Sequence, residues 1–426
     1  MRRVHVPPLG RKKGMNPETN TLQKQHTPLL AGLLIVPRFL RYARICTTSD
    51  KHNTETPSSA GQWELARLLA EELTTLGVAD VEVTDHCYVL ARLPASPGFE
   101  TKPAIGLMAH LDTAEDVSGK NVQPITETND KGETIIRTDG TTLLGADDKA
   151  GIAEIMGAAE YLLSHPEIKH GPALIIFSPD EETGKGLPCF PMERINALAG
   201  AGSPENEKQL TACYTFDGGP LGELETECFN AIEARVYFSG RVIHLGAARG
   251  ELANACLMAA AFAVMIPRSE SPEATDGYYG YYCPTEISGG LESAQLEVYI
   301  RDFDINRAKE RAAALEVFAR AVEAQFPGGK VKVEWKFQYY NMKEKIADCP
   351  EALLKLEEAA RLAGVKFTLK PIRGGTDGSR LTELGIPTPN IFTGGRNFHS
   401  VTEWIPVAEM EAACCLAIEL VRVWGA

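Results

Sequence analysis

Apolar positions along this chain repeat with two different periods. Over residues 61–77, Trp63, Leu65, Leu68, Leu69, Leu73 and Leu76 recur at helical spacing and Gly77 supplies a C-cap, which predicts an amphipathic helix. Residues 104–109, 173–177 and 212–216 are runs of strand length with apolar residues on both faces, the pattern of central strands in a parallel sheet. Between the first two, a helix is expected over residues 148–164, with Ile152, Ile155, Met156, Ala159, Leu162 and Leu163 as its stripe. Toward the C-terminus the pattern predicts a helix at 350–363, strands at 366–371 and 390–392, and a helix at 406–424. Strands alternating with helices indicate an α/β sandwich.

The middle of the chain has the other period. Ile232, Ala234, Val236 and Phe238 alternate with Glu233, Arg235 and Tyr237, and the same alternation returns at Leu296, Val298 and Ile300 and at Val331, Val333, Trp335 and Phe337. Strands with one wet face belong to an antiparallel sheet. Helices fit residues 253–265 and 306–325. The expected architecture is an α/β sandwich in two parts, residues 33–228 and 341–426, with a smaller α+β unit inserted at 229–340.

Composition narrows the class. Among 426 residues, 57 acids outweigh 43 bases and leave a net charge of −14, so the basic footprint of a nucleic-acid binder is missing. No apolar stretch, the run at residues 29–36 included, approaches the ~20 residues a membrane helix needs. Residues 1–32 run against the rest, with Arg2, Arg3, Arg11, Lys12, Lys13 and Lys24 facing Glu18 alone among Pro, Thr, Gln and Asn. They read as a disordered basic extension rather than a targeting peptide, and Met15 is an alternative start. The ten cysteines are scattered without a CxxC pair, which suits a reducing, cytoplasmic compartment better than a disulfide framework.

Chemistry collects where the apolar strands end. The first runs into His110-Leu111-Asp112, the second into Asp180-Glu181-Glu182 and the third into Asp217-Gly218-Gly219. Asp147-Asp148 opens the helix after the first strand, and the strand at 390–392 leads to His399. Ligands of open α/β sheets sit beyond the carboxyl ends of the strands, so these clusters are expected to converge. Imidazole and carboxylate without thiolate form a zinc, cobalt or manganese ligand set. Crowded carboxylates repel one another unless cations sit among them, and two metals bridged by one carboxylate would relieve this and activate a shared water. Adjacent Glu181-Glu182 offers one ligand and one base. Taken singly, each feature has an ordinary reading: HxD is common, Glu-Glu is a solvated pair, Asp147-Asp148 a helix cap, and Asp217 before glycines a turn. Their shared position at strand ends is what favours a metal site.

The residues also carry a resemblance. Residues 106–123 (GLMAHLDTAEDVSGKNVQ), 141–156 (TTLLGADDKAGIAEIM), 178–186 (SPDEETGKG) and 215–225 (TFDGGPLGELE) resemble the peptidase T group of the co-catalytic zinc exopeptidases. These are tripeptide aminopeptidases related to carboxypeptidase G and succinyl-diaminopimelate desuccinylase. Residues 339–345 (YYNMKEK), 371–378 (PIRGGTDG) and 390–399 (NIFTGGRNFH) match as well, so the likeness spans roughly 36–424. It implies a zinc exopeptidase-type α/β/α catalytic domain with the inserted unit as a lid, and two zinc ions per chain. His110, Asp147 and Asp217 would bind one ion, and Asp147, Glu182 and His399 the other. Glu181 would be the general base, Asp112 would orient His110, and the lid residue His244 would stabilise the oxyanion. Its loop reads His-Leu-Gly where the family pattern leads one to expect His-Pro-Gly.

For substrate, the resemblance implies a short peptide and matches Asn254, Arg301 and Arg373 to substrate-binding positions. A guanidinium suits a peptide carboxylate; the ordinary reading of Arg301 is a charge pair with Asp302 or Asp304. The segment 124–140 is shorter than expected from the group and bears on the cleft rim rather than on the metal residues. Lids of this family often carry dimer contacts, which implies a homodimer. A related zinc amidase or dipeptidase acting on N-acyl amino acids or dipeptides is the alternative activity.

Overall fold

The computed structural model describes residues 35–201 and 209–426, so the basic extension expected at 1–32 lies outside the described residues. The organising element is an eight-stranded sheet. Its strands run, edge to edge, Ala79–Val83, Val89–Leu93, Ala173–Ser178, Ile105–His110, Ala212–Gly218, Asn390–Phe392, Glu223–Glu225 and Thr368–Leu369. The three apolar runs and the short strand at 390–392 are its parallel centre, as their two-sided hydrophobicity predicts. Every residue of Ile105–His110 and Ala173–Ser178 is buried. The strand expected at 366–371 shrinks to the two residues Thr368–Leu369 at the exposed edge, where little apolar cover rewards pairing.

Helices cover this sheet. Ala60–Leu76 stops at Gly77, which takes the left-handed conformation (φ 85°) that closes a helix without a Cβ clash. Ala146–Ser164 packs with Val407–Gly425 over one face, and their side chains join those of the central strands in one apolar core. Among the described residues no helix is long and apolar enough to cross a membrane.

Between residues 230 and 339 a second, four-stranded antiparallel sheet forms, in the order Tyr281–Gly289, Ser293–Asp302, Asn230–Ser239, Lys330–Tyr339. Helices Ala255–Met265 and Ile305–Gln325 cover its apolar face, giving it a core of its own. Asn254 and Asp304 cap these helices by accepting main-chain N–H groups. Strand Tyr281–Gly289 went unforeseen because most of its residues are exposed and its sequence lacks the two-residue period.

A third, small sheet was also not anticipated. The short segment 124–140 folds as a hairpin, Ile125–Thr128 and Thr134–Arg137, turned by Asn129, whose side chain accepts from the N–H groups of Lys131 and Glu133. Strand Trp404–Pro406 pairs with its second arm, so the hairpin is tied to the chain that follows His399.

Candidate metal centre

Five segments bring their side chains to the carboxyl edge of the large sheet. Strand Ile105–His110 ends on His110, whose Nε2 lies 2.8 Å from Asp147 Oδ1 and 3.6 Å from Asp217 Oδ1. Asp147 stands in the first turn of helix Ala146–Ser164, and Asp217 near the end of strand Ala212–Gly218. Asp147 turns its other oxygen, Oδ2, to His399 Nε2 at 3.3 Å, and that nitrogen also lies 3.0 Å from Glu182 Oε1. Two donor groups result, His110–Asp147–Asp217 and Asp147–Glu182–His399, each with its ligand atoms within 4.8 Å of one another and Asp147 shared. The structure thus brings together all five residues expected to hold metal.

Buried acids hold this arrangement from behind. Asp112 is fully buried, approaches His110 Nδ1 to 3.2 Å, and accepts the N–H groups of Glu181 (3.0 Å) and Glu182 (3.2 Å). One carboxylate therefore faces the imidazole and fixes the Glu-Glu turn. Asp148 accepts the His110 N–H at 3.0 Å and that of Gly151 at 3.3 Å, so it ties strand to helix rather than merely capping it. Asp180, in the left-handed region (φ 53°), accepts from Ser58 and from Gln62 Nε2, anchoring the same turn to the helix Ala60–Leu76. Asp116 lies 3.3 Å from His399 Nδ1. Sequence reasoning placed Asp180 in the strand-end cluster without a role, and missed Asp116 and Glu403, whose carboxylate binds the loop before Asp147. Neither of the missed acids belongs to an apolar period that would have marked it.

The electrostatics fit cations. Burial, and then the neighbouring Asp147 charge, pushes Asp217 and Glu182 up to about 7. Burial opposes ionisation of Asp147 too, yet His110 and His399 hold it well below the usual carboxylate range. His399 is raised by Asp147 and then by Glu182. So many carboxylates ionise together only when positive charge is shared among them. Among the described residues the buried His110 Nδ1 and Glu182 Oε1 have no aligned hydrogen-bond partner, although Glu182 Oε1 sits 3.0 Å from an imidazole nitrogen. Close, misaligned donor atoms of this kind suit shared coordination better than a proton between them. Imidazole with carboxylate, and no thiolate, is the donor set of zinc, cobalt or manganese.

The cleft beside the centre has two lobes. One, of about 470 Å³, is lined by Asp147, Asp217, Glu225 and His399 among others. The second, of about 550 Å³, includes Arg301, Gln338, Tyr339 and Asp377. Glu181, Glu182, Gly375 and Thr376 line both and form the seam. Burial, and next the Asp217 charge, pushes the Glu181 carboxyl well up.

Arg301 is buried in the second lobe, donating to the carbonyls of Ile232 and Ile300 and to Gln338 Oε1, with its guanidinium over Tyr299 and Tyr339. Its ordinary reading as a charge pair does not hold: Asp302 pairs with Arg311 and Asp304 caps a helix. The other bases of this lobe, Lys336 and Arg380, have Glu233 and Glu383 as partners.

Three expected substrate or transition-state residues lie elsewhere. Arg373 spends both terminal nitrogens on the carbonyls of Thr275, Gly277 and Tyr279 and the Thr275 hydroxyl, so it staples the inserted unit to the main sheet and lines neither lobe. His244 is exposed and accepts the N–H of Gly246 in its own loop. Asn254 accepts the N–H of Leu257 as a helix cap. Neither reaches the cleft of its own chain, because the loop that carries them is at the far end of strand Asn230–Ser239.

Known proteins share this arrangement of chain. Residues 106–422 match the model of peptidase family M20/M25/M40. The peptidase T of Geobacillus kaustophilus is 41% identical over 416 residues, covering 92% of this chain and 98% of that protein. A tripeptidase structure from Staphylococcus aureus superposes with a TM-score of 0.71 at 21% identity, covering 92% of this chain and 99% of its own. A dinuclear metal-binding peptidase of Bacillus subtilis superposes with a TM-score of 0.61 at 15% identity, covering 93% and 98% of the two chains.

Proposed function

The chain belongs to peptidase family M20/M25/M40, and from that premise we propose that it is a metal-dependent aminopeptidase that removes the N-terminal residue of tripeptides. The observation that carries this reading is the pair of donor groups sharing Asp147, with Glu181 at the seam of the cleft and Arg301 in the adjoining lobe.

In this reading His110, Asp147 and Asp217 hold one divalent ion and Asp147, Glu182 and His399 the second, with zinc as the metal. When bound, such ions polarise the scissile carbonyl and lower the pKa of water. Glu181 supplies the proton traffic: burial holds its carboxyl well above the ordinary range, which makes it basic enough to take a proton from water and acidic enough to give it to the leaving amine. Asp112 keeps the His110 imidazole and the Glu181–Glu182 backbone in register. Arg301 receives the peptide carboxylate; its guanidinium already lies among carbonyls and rings without an acid partner among the described residues, so an arriving carboxylate meets a desolvated, unneutralised charge.

Association as a homodimer through the inserted unit is part of the proposal, supported by the exposed Val242, Leu245, Leu257 and Val264 around His244 and Asn254. A reducing, cytoplasmic setting agrees with ten free cysteines. The test is a panel of tripeptides, dipeptides, N-blocked tripeptides and N-acyl amino acids, assayed with and without added divalent metal. Turnover is expected on tripeptides with a free amine. Turnover confined to acyl substrates would replace the proposal with an amidase.

A further inference from the structure

The loop that presents the shared carboxylate is held by a residue of a distant segment. Glu403 is 2% exposed. Its Oε2 accepts the N–H of Leu144 at 2.7 Å and of Gly145 at 2.8 Å, and its Oε1 accepts the N–H of Asp147 at 3.1 Å. These are the donors at the entry of helix Ala146–Ser164, where the N-cap residue Gly145 has no side chain to accept them. Gly145 is left-handed here (φ 77°) and its Cβ position would meet Thr113 and the Lys149 side chain, so the backbone comes to the carboxylate in one shape only.

Glu403 is also the base of the loop that carries His399. Arg396 and Trp404 exchange main-chain hydrogen bonds at 2.9 and 3.1 Å and close the loop. Within it the Glu403 N–H donates to the Ser400 carbonyl at 3.2 Å, and the Thr402 N–H donates to Ser400 Oγ at 3.1 Å. Past Glu403 the chain becomes the strand Trp404–Pro406 against the hairpin arm Thr134–Arg137. One buried carboxylate therefore joins the loop that supplies the bridging Asp147 to the loop that supplies His399.

We propose that Glu403 is the positioning residue that locks Asp147 and His399 in common register, so that both donor groups depend on it. It touches neither donor side chain and acts through the backbone. A carboxylate presents acceptors on both oxygens and serves all three N–H groups; a glutamine of the same shape presents one oxygen and turns an NH2 toward a donor. Because Asp147 gives one oxygen to each group, its displacement loosens both groups together. This inference rests on the metal reading of the site, and the experiment separates the two.

Wild-type protein, Glu403→Gln and the control Asp139→Asn are stripped of metal and titrated with zinc against a chromophoric chelator, with thermal melting of the metal-free proteins alongside. Asp139 is an exposed acid that accepts the Thr141 N–H in the same loop but touches no donor-bearing segment. The expected result is a loss of metal affinity of about 10–100-fold in Glu403→Gln for both ions, the usual consequence of removing an outer partner. The control should stay within about twofold of wild type, and KM for a tripeptide at saturating metal should change little. Glu403→Asp, which keeps the charge and loses reach, carries the same comparison if the glutamine variant does not fold. Wild-type affinity in a folded Glu403 variant, even one with a lowered melting temperature, would overturn the inference. Loss at one ion only would also overturn it. Wild-type protein that takes up no metal would overturn the site reading and this inference with it.

Discussion

Glu154 gives a quantitative prediction away from the donor groups. It lies on helix Ala146–Ser164, is fully buried, and among the described residues neither carboxyl oxygen has a hydrogen-bond partner. Burial alone pushes its carboxyl well above the ordinary range, and the group is near enough to the C-terminal helix to raise the Cys414 thiol. In the unfolded chain its pKa is about 4.3, so the folded state binds one more proton than the unfolded state at any pH between the two values. Stability from this source is therefore intact below about pH 4.3 and is lost as pH rises, by about 1.4 kcal/mol per pH unit, until the folded group itself ionises. Glu154→Gln keeps the shape and abolishes the proton uptake. The variant should be more stable than wild type, and its advantage should widen from pH 5.5 toward pH 8, by up to about 1.4 kcal/mol per pH unit for as long as the folded carboxyl stays protonated. Urea unfolding of both proteins across that range measures it, with metal held constant so that contributions of the donor groups cancel in the difference. An advantage that does not change with pH would mean that Glu154 is ionised or hydrated in the fold, and the reasoning from its isolation would fail.

Other outcomes follow from the site. Glu181→Gln should retain metal by direct analysis and lose turnover by about 10²–10⁴-fold, since only proton transfer is removed; a variant with most of its activity would assign the base elsewhere. Arg301→Lys should raise KM for tripeptides by about tenfold, in line with ~1.4 kcal/mol for a lost charge-assisted contact, while C-terminally amidated tripeptides are unaffected. Arg373→Ala should lower the melting temperature, because four hydrogen bonds to the inserted unit disappear, yet leave KM within about twofold. Treatment with a chelator should abolish activity, and zinc, cobalt or manganese added back in parallel identifies the metal by the activity each restores.

How much of this was visible in the sequence depended on which interactions impose a pattern. Central strands are buried on both faces, so they appear as unbroken apolar runs, and whatever follows such a run stands at the carboxyl edge of the sheet. That logic located His110, Glu182 and Asp217 because each stands at the end of a strand or within four residues beyond it, and it located Asp147 because the adjoining helix starts there. It says nothing about direction for side chains on irregular segments. Arg373 precedes two glycines and Arg301 an acid, and both suit a carboxylate, yet one guanidinium folds back onto the carbonyls of the loop Thr275–Tyr279 while the other is drawn under Tyr299 and Tyr339. The difference arises from what packs across the junction of the two sheets, which no local period encodes. Glu403 was hidden for a related reason. A polar turn ending in an acid ordinarily faces water; this one is buried because the N–H groups of a helix start, 256 residues or more away along the chain, offer it three donors. Long-range satisfaction of backbone donors is a property of the assembled fold, so the candidate metal ligands were legible as chemistry at strand ends, while the residues packed behind them became legible only once the loops were set side by side.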